Sequence, residues 1–349
     1  MKAIEKLVRD DCARVLHGQT KRLDGLQGCV LLITGGTGFM GTWLTEMVAY
    51  LNDCHQFGIR LRLLSDCAML FHERAPHLAG RRDVELIERD ILNLVELPED
   101  VDWIIHAAGD PDNRNHAIDQ LRTLRVIVHG TDALLQSAAR LGKLQKILHV
   151  SSGLVYGAQP MDLPGIPEGF VGSLDCTVPG QVYAEGKRTA ETICAAYRTQ
   201  ARLPIVTVRP FAFLGPYQLL DRPWAANSFI RDSLRGGPII IQGDGESVRS
   251  YMYPADMAFW ILNMLARATP GSVYNLGNPV GITLLDLARK ITNGFPKPVQ
   301  IVPRMMGLNA PRATRLVPDV TFAQETLGLT IQTDIDLAIR LALQWYQTP

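Results

Sequence analysis

The sequence lacks the marks of a disulfide or metal framework, a membrane span or a nucleic-acid surface. Its six cysteines (Cys12, Cys29, Cys54, Cys67, Cys176 and Cys194) include no Cys-x-x-Cys spacing, and no histidines cluster beside them. Several lie in apolar runs, where a thiol packs as a small hydrophobe. That usage disfavours zinc and disulfides and fits a reducing cytoplasm. Charge excess is missing too: 35 basic residues balance 35 acidic ones, and no basic stretch is interleaved with aromatics. No bulk field therefore draws the chain to nucleic acid or to an anionic surface. No apolar run approaches the ~20 residues that span a bilayer, and Met1 to Lys6 has no apolar signal core. Internal repeats and low-complexity tracts are absent as well. The expectation is a soluble, cytoplasmic protein with no nucleic-acid or membrane partner and no metal.

What is present starts at Leu31-Leu32-Ile33-Thr34-Gly35-Gly36-Thr37-Gly38-Phe39-Met40-Gly41. The apolar run Cys29 to Ile33 predicts a buried strand, and Thr42 to Val48 predicts a helix. A strand, a tight glycine turn and a helix present backbone N–H groups and a helix N-terminus to a pyrophosphate. Gly35 can take the sharp turn, Gly38 lets the backbone approach the phosphates, and Gly41 lets the helix pack close to the strand. An ordinary strand-to-helix loop is the alternative, and the flanking context favours the dinucleotide site.

Residues 1 to 27 precede this unit, and Ile4, Leu7, Val8, Cys12 and Val15 recur at helical spacing. They predict an amphipathic helical extension packed on the main domain; a partner-binding arm is the less favoured reading. Ile59 to Leu64 predicts the second strand, ending at Ser65-Asp66. An acidic side chain there accepts hydrogen bonds from the adenosine ribose and repels a 2′-phosphate, so Asp66 favours NAD over NADP. A capping aspartate reads equally well. Its offset from Gly35 exceeds the usual ~20 residues, and Asn52 to Gly58 reads as an insertion. Further strands are expected at Val84 to Glu88, Val101 to His106, Lys146 to Val150 and Ile205 to Arg209, with helices at Leu121 to Leu141 and Val182 to Tyr197. A lone His106 reads as a core histidine, and the small residues Ala107, Ala108 and Gly109 let a cofactor lie against the backbone. Alternating strands and helices predict an α/β fold, a Rossmann-type doubly wound parallel sheet with ligands at the strand carboxyl ends. Beyond Arg209, prolines and glycines punctuate the chain. Helices are expected at Asn227 to Arg235, Ala255 to Ala266, Leu284 to Ile291 and Ile335 to Tyr346, reading as a smaller C-terminal lobe over the strand ends.

The chemistry centres on Tyr183-Ala184-Glu185-Gly186-Lys187, a phenol and an ammonium on one helical face. A phenol is a poor base at its free pKa near ~10, and a nearby cation favours the phenolate. A Tyr–Lys pair alone also fits a solvated helix face. Ser152, at the end of the preceding strand, supplies a hydroxyl for the same substrate oxygen, and the three features occur in the expected order.

With these motifs the sequence resembles the extended short-chain dehydrogenase/reductase family of nucleotide-sugar epimerases and dehydratases. The resemblance covers nearly everything beyond residue 28. It runs through Thr34 to Gly41, Asp90-Ile91, Asp102 to Ala108, Ser151 to Gly157, Tyr183 to Lys187, Arg209-Pro210-Phe211 to Gly215-Pro216, and Gly243-Asp244-Gly245 to Arg249 and Asp256. It implies a dinucleotide domain over residues 28–212 and a mainly substrate-binding lobe over 213–349, part of which returns to the sheet. The implied cofactor is NAD. Its implied site comprises Gly35, Thr37, Gly38, Phe39, Met40, Gly41, Asp66, Asp90, Ile91, Ala107, Ala108, Gly109, Ser151, Tyr183, Lys187 and Pro210. Tyr183 is the implied base, Lys187 holds the nicotinamide ribose and lowers the tyrosine pKa, and Ser152 positions the sugar hydroxyl. Arg249 matches the arginine that binds the substrate diphosphate, and Arg312 or Arg315 supplies a second contact. A homodimer follows from the family habit of packing the helices at Leu121–Leu141 and Val182–Tyr197 into a four-helix bundle.

The sequence also departs from the family. Dehydratases carry an Asp-Glu pair after the strand-end hydroxyl and glucuronate decarboxylases a glutamate, whereas this chain has Gly153-Leu154. Ile127 and Ala212 replace two family asparagines, which predicts a less polar pocket. Epimerisation needs only the serine, tyrosine and lysine. The leading expectation is an NAD-dependent nucleotide-sugar epimerase in polysaccharide or glycoconjugate precursor synthesis. A decarboxylase or dehydratase with an atypical acid is the alternative, and a non-catalytic dinucleotide sensor or scaffold is the alternative of another class.

Overall fold

An uninterrupted apolar run is satisfied by burial on both faces of a sheet, and Val30–Thr34 forms β1, buried at every position. The computed structural model, which describes residues 3–304 and 313–348, sets β1 inside a parallel sheet. The glycine turn leads from β1 into α2 (Phe39–His55), which follows α1 (Ala3–Leu16) at the start of the chain. Then come β2 (Arg60–Ser65), α3 (Met69–Arg74), α4 (Pro76–Ala79) and β3 (Val84–Glu88). The second half supplies β4 (Trp103–His106), α5 (Asn113–Ile118), α6 (Gln120–Ala138), β5 (Lys146–Val150), α7 (Val182–Gln200) and β6 (Ile205–Pro210).

Beyond β6 the chain alternates between two bodies. β7 (Ala212–Phe213), α8 (Ala225–Leu234), β8 (Ile239–Gln242) and β9 (Val248–Met252) are followed by α9 (Pro254–Arg267) and β10 (Val273–Leu276). The last elements are β11 (Gly281–Thr283), α10 (Leu284–Asn293), β12 (Ile301–Arg304), β13 (Arg315–Leu316), α11 (Thr321–Leu327) and α12 (Ile335–Gln347). The main sheet has seven strands in the order β10-β6-β5-β4-β1-β2-β3. All neighbours are parallel. The order reverses between β1 and β4, which opens a crevice at their carboxyl ends. β11, β9 and β13 form a smaller sheet that β7 joins through β9, so the short segment after β6 ties that sheet to the main one. Leu214, Phe229, Ile230, Ile241, Leu287, Ile291 and Leu343 pack there in a separate core.

Two expectations change. Asn52 to Gly58 is not an inserted loop: Asn52 to His55 is the last turn of α2. The Asn52 amide then closes the turn, accepting from Ile59 N at 2.9 Å and donating to Asp83 at 2.7 Å. The helix expected at Ala255 to Ala266 does not belong to the smaller lobe. Every residue of α9 from Pro254 to Leu265 is buried, Asp256 and Asn263 included, and a helix buried all round needs a core on all sides. It packs with α2, α1 and β5 in the main core. The same core takes Val8, Cys12, Val15 and Leu16 of α1, and Leu23 and Leu26 of the short turn after it.

Candidate active site at the strand carboxyl ends

Three glycines set the shape of the crevice. Gly35 has φ +67°, and a Cβ there would stand 2.8 Å from Ala107 O, so the turn lies directly on the end of β4. A Cβ on Gly41 would meet Gly36 O at 2.2 Å, which fixes how closely α2 approaches the turn. Gly38 is the N-cap of α2. Thr37 donates its hydroxyl to Ser65 at 2.6 Å, Phe39 packs on Phe213 with ring centroids 5.9 Å apart, and Met40 packs on the main core.

Ser152, Tyr183 and Lys187 come together across the ends of β5 and the start of α7. The Ser152 hydroxyl accepts from Leu154 N at 3.1 Å and pairs with the Tyr183 hydroxyl. The Tyr183 ring stacks on His116 at 4.6 Å and 12°. Lys187, 4% exposed, donates to Val150 O at 2.8 Å, and its ammonium lies 5.8 Å from the Tyr183 ring centroid. It also stands 3.7 Å from where a Cβ on Gly109 would project, an ordinary contact that sets the ammonium beside the loop after β4. Burial pushes Lys187 down to about 8. Burial likewise pushes Tyr183 up to about 12, against the pull of the Ser152 hydrogen bond. The cation expected to lower the tyrosine does not outweigh desolvation among the chain's own residues.

Other candidates are dispersed over the scaffold. Asp66 follows β2 and is exposed. Asp90 caps the turn Ile91–Asn93, accepting from Leu92 N at 3.0 Å, and meets Arg122 at 3.4 Å. Ile91 is buried, with its Cγ2 2.9 Å from where a Cβ on Gly130 would stand. Ala107 and Ala108 continue β4, and Ala108 N donates to Thr34 at 3.2 Å. Ser151 donates to Glu191 at 2.5 Å, and Arg209 grips the same carboxylate at 2.9 and 2.6 Å. Pro210 ends β6. His106 is a satisfied core group, bonded to Thr34 at 2.7 Å and Thr131 at 3.0 Å, with burial holding it down to about 3.

Arg249 and Arg315 share the small sheet, on β9 and the neighbouring β13. The Arg249 guanidinium turns onto Thr314, at 3.0 Å from its carbonyl and 2.8 Å from its hydroxyl. Arg315 Nε is buried with no hydrogen-bond partner among the described residues. Arg312 lies outside the described residues. Ile127 does not line a pocket: it is 3% exposed and faces Gly186 between α6 and α7. Ala212 lies on β7, opposite Tyr251 of β9. Leu154, where the family acid is missing, is 46% exposed. The stacking of His116 on Tyr183 and the Ser151–Glu191–Arg209 network had no sequence signal, because their partners come from separate elements.

A model of the NAD dependent epimerase/dehydratase family matches residues 31–277. UDP-glucuronic acid decarboxylase 2 of Arabidopsis thaliana is 28% identical over 302 residues, 86% of this chain and 64% of that protein. The chain thus spans less than two thirds of that relative's length. An epimerase from Methanothermobacter thermautotrophicus superposes with a TM-score of 0.80 at 21% identity, covering 93% of this chain and 94% of that one. The UDP-glucuronic acid 4-epimerase of Bacillus cereus, solved with UDP-glucuronic acid and NAD, gives 0.78 at 23% identity over 90% and 98%. At these identities the two structures show a shared fold.

Proposed function

The chain belongs to the NAD dependent epimerase/dehydratase family, and from that premise we propose that it is an NAD-dependent epimerase of nucleotide-diphosphate sugars. It acts through a transient keto-sugar, in the synthesis of polysaccharide or glycoconjugate precursors. The carrying observation is the meeting of the Ser152 hydroxyl, the Tyr183 phenol and the Lys187 ammonium at the strand ends, with Gly153-Leu154 beside them. Those three groups supply what a reversible alcohol oxidation needs, and no carboxylic acid stands at the neighbouring positions to expel water.

The glycine turn fits a dinucleotide: side chains on Gly35 or Gly41 would clash with backbone, and the turn delivers the α2 N-terminus to the crevice. Residues 28–212 form the dinucleotide-binding domain in this reading, and 213–349 chiefly the substrate lobe. Bound NAD supplies the hydride acceptor for the first half-reaction and the donor for the second. Tyr183 Oη, as the phenolate that the Lys187 charge has to favour against burial, takes the proton of the sugar hydroxyl and becomes the phenol, and Ser152 Oγ holds that oxygen and stabilises its developing charge. Lys187 holds the nicotinamide ribose and keeps a positive charge beside the phenol. Arg249 and Arg315 reach the diphosphate from the small sheet. The protein works in the cytoplasm as a homodimer joined through α6 and α7.

A decarboxylase is the second reading, favoured by the likeness to UDP-glucuronic acid decarboxylase 2. The test is to denature the purified protein, identify the released dinucleotide by mass spectrometry, and incubate fresh enzyme with a nucleotide-sugar panel. Exchange of configuration at C4 without net redox change supports the epimerase. Release of carbon dioxide or water overturns it. Unchanged cellular function of Tyr183→Phe with cofactor still bound sinks every enzymatic reading and leaves a sensor.

A further inference from the structure

The phenol at the centre of the chemistry above stands where its helix is least held. Tyr183 is the second residue of α7, in the first turn, whose N–H groups have no acceptor within the helix. Gln181 at the N-cap gives that turn no side-chain hydrogen bond. Ahead of it, residues 157–178 form neither helix nor strand. A helix end of this kind frays unless contacts from elsewhere hold it, so α7 alone does not fix where the phenol points.

The ring that lies on it comes from a different element. His116 of α5 is buried, and its imidazole stacks on the Tyr183 ring at 4.6 Å, with the planes 12° from parallel. Its Nε2 donates to Asp110 O at 2.5 Å, which fixes the plane of the imidazole and so that of the stack. The loop offering that carbonyl is itself tied down. The Asp110 carboxylate accepts from Asp112 N at 2.9 Å and from the Asn115 amide. Buried Asp112 caps α5, accepting from Arg114 N at 2.9 Å. Arg222 reaches Asp112 at 2.6 Å from the segment between β7 and α8, where Leu220 packs on the core of the smaller sheet. Contacts therefore run without a break from the smaller sheet, through α5, to one face of the phenol.

We propose that His116 is a positioning residue for the candidate base: it holds the Tyr183 phenol against Ser152, and Arg222 fastens that hold to the smaller lobe. A flat ring laid on the phenol blocks the other χ1 wells, which would swing Oη away from Ser152. Misplacing a reacting group by ~1 Å costs ~10²-fold in rate, so a contact that only orients can set turnover.

This inference rests on Tyr183 acting as the base, and the test has one arm that needs no activity. The full chain is labelled with fluorotyrosine, and the Tyr183 resonance is assigned in fluorine NMR by its loss in Tyr183→Phe. His116→Ala should move that resonance toward the free amino acid, while His116→Phe, which keeps a flat face, should hold it. An unmoved resonance in His116→Ala overturns the inference whatever the reaction is. Arg222→Met should shift or broaden the same line, and an unchanged line overturns the fastening. The second arm is kinetic, on whichever nucleotide sugar is turned over. His116→Ala should lower kcat by roughly 10–100-fold with KM unchanged, and His116→Phe should recover most of the loss. In a Tyr183→Phe background His116→Ala should cost nothing further. Equal losses in both backgrounds mark a merely structural role and overturn the inference. A wild type that turns over no sugar while the resonance responds overturns the base, and the positioning role with it, but leaves the stack. Thermal melts check folding, and His116→Leu, which fills the site without a flat face, replaces His116→Ala should that variant fold poorly.

Discussion

Lys187 is set against the stability of the protein that carries it. Its ammonium is buried with a backbone carbonyl at 2.8 Å as acceptor, and burial lowers it from 10.5 to about 8. Between those values the unfolded chain binds the proton and the folded chain does not, so stability rises with pH across that interval. Lys187→Met should therefore melt higher than wild type below about pH 8. Its advantage should shrink as pH climbs toward 10.5, while turnover is lost throughout. Scanning calorimetry from pH 7 upward reads both limits. Tyr183→Phe should cut turnover by roughly 10²–10⁴, the usual worth of a placed proton acceptor, with dinucleotide affinity preserved in a titration. The Tyr183–Lys187 pair was readable because helical periodicity is local, and Ser152 because it closes the strand before that helix. The direction in which the Tyr183 phenol shifts was not, because desolvation is set by neighbours from other elements, His116 among them.

At the scale of elements, the turn after β1 tolerates no change at its tightest point. Gly35→Ala forces an L side chain to φ +67° and brings its Cβ to 2.8 Å from Ala107 O. The expected outcome is loss of dinucleotide binding together with a lower melting temperature, read in one thermal shift series with and without NAD. The N-terminal segment makes a different prediction. Leu23 is wholly buried in the main core, so Leu23→Ala should remove about 2–4 kcal/mol in urea denaturation and leave KM unchanged. Most strands of the main sheet were legible as apolar runs. β10 was not, since Val273–Leu276 is only one turn-bounded fragment, and in the smaller sheet β9 was not either, since Val248–Met252 neither alternates nor forms an apolar run. The lobe assignment of α9 failed for a related reason: proximity in sequence to punctuated loops says nothing about which core a fully buried helix enters.

The molecule as a whole is stitched by acidic groups that join distant segments. Asp256 of α9 is fully buried and accepts from Gln332 N at 2.6 Å, while its second oxygen has no partner among the described residues. Asp11 of α1, also buried, holds Arg14 and the Tyr253 hydroxyl, and Arg14 reaches Thr333 at 2.6 Å. Burial raises Asp256 from 3.8 to about 6. Here the folded state keeps the proton that the unfolded chain has lost, so stability falls as pH rises from 3.8 through about 6. Asp256→Asn should raise the melting temperature at pH 8, with the gain fading below about pH 6. Assembly is a further prediction at this scale: sedimentation should show twice the 38.6 kDa of one chain, and only monomer at micromolar concentration refutes the α6–α7 pairing.

The docking of α1 also dictates an order of events at the ribosome. The Asp11–Tyr253 bond spans 242 residues of sequence, so α1 is made long before the partner that completes its docking. At usual elongation rates that partner emerges on the order of 10–50 s later. Throughout that interval Val8, Cys12, Val15 and Leu16 have α2 but not α9 to pack against, and the nascent chain carries a half-covered apolar face while most strands of the main sheet are made. Closure of so large a loop makes maturation slow and late. Stalled chains ending before α9 should be cut readily by protease near α1, whereas released chains resist there. The amphipathic face that stabilises the finished protein is, while it is being made, a surface open to holdase chaperones.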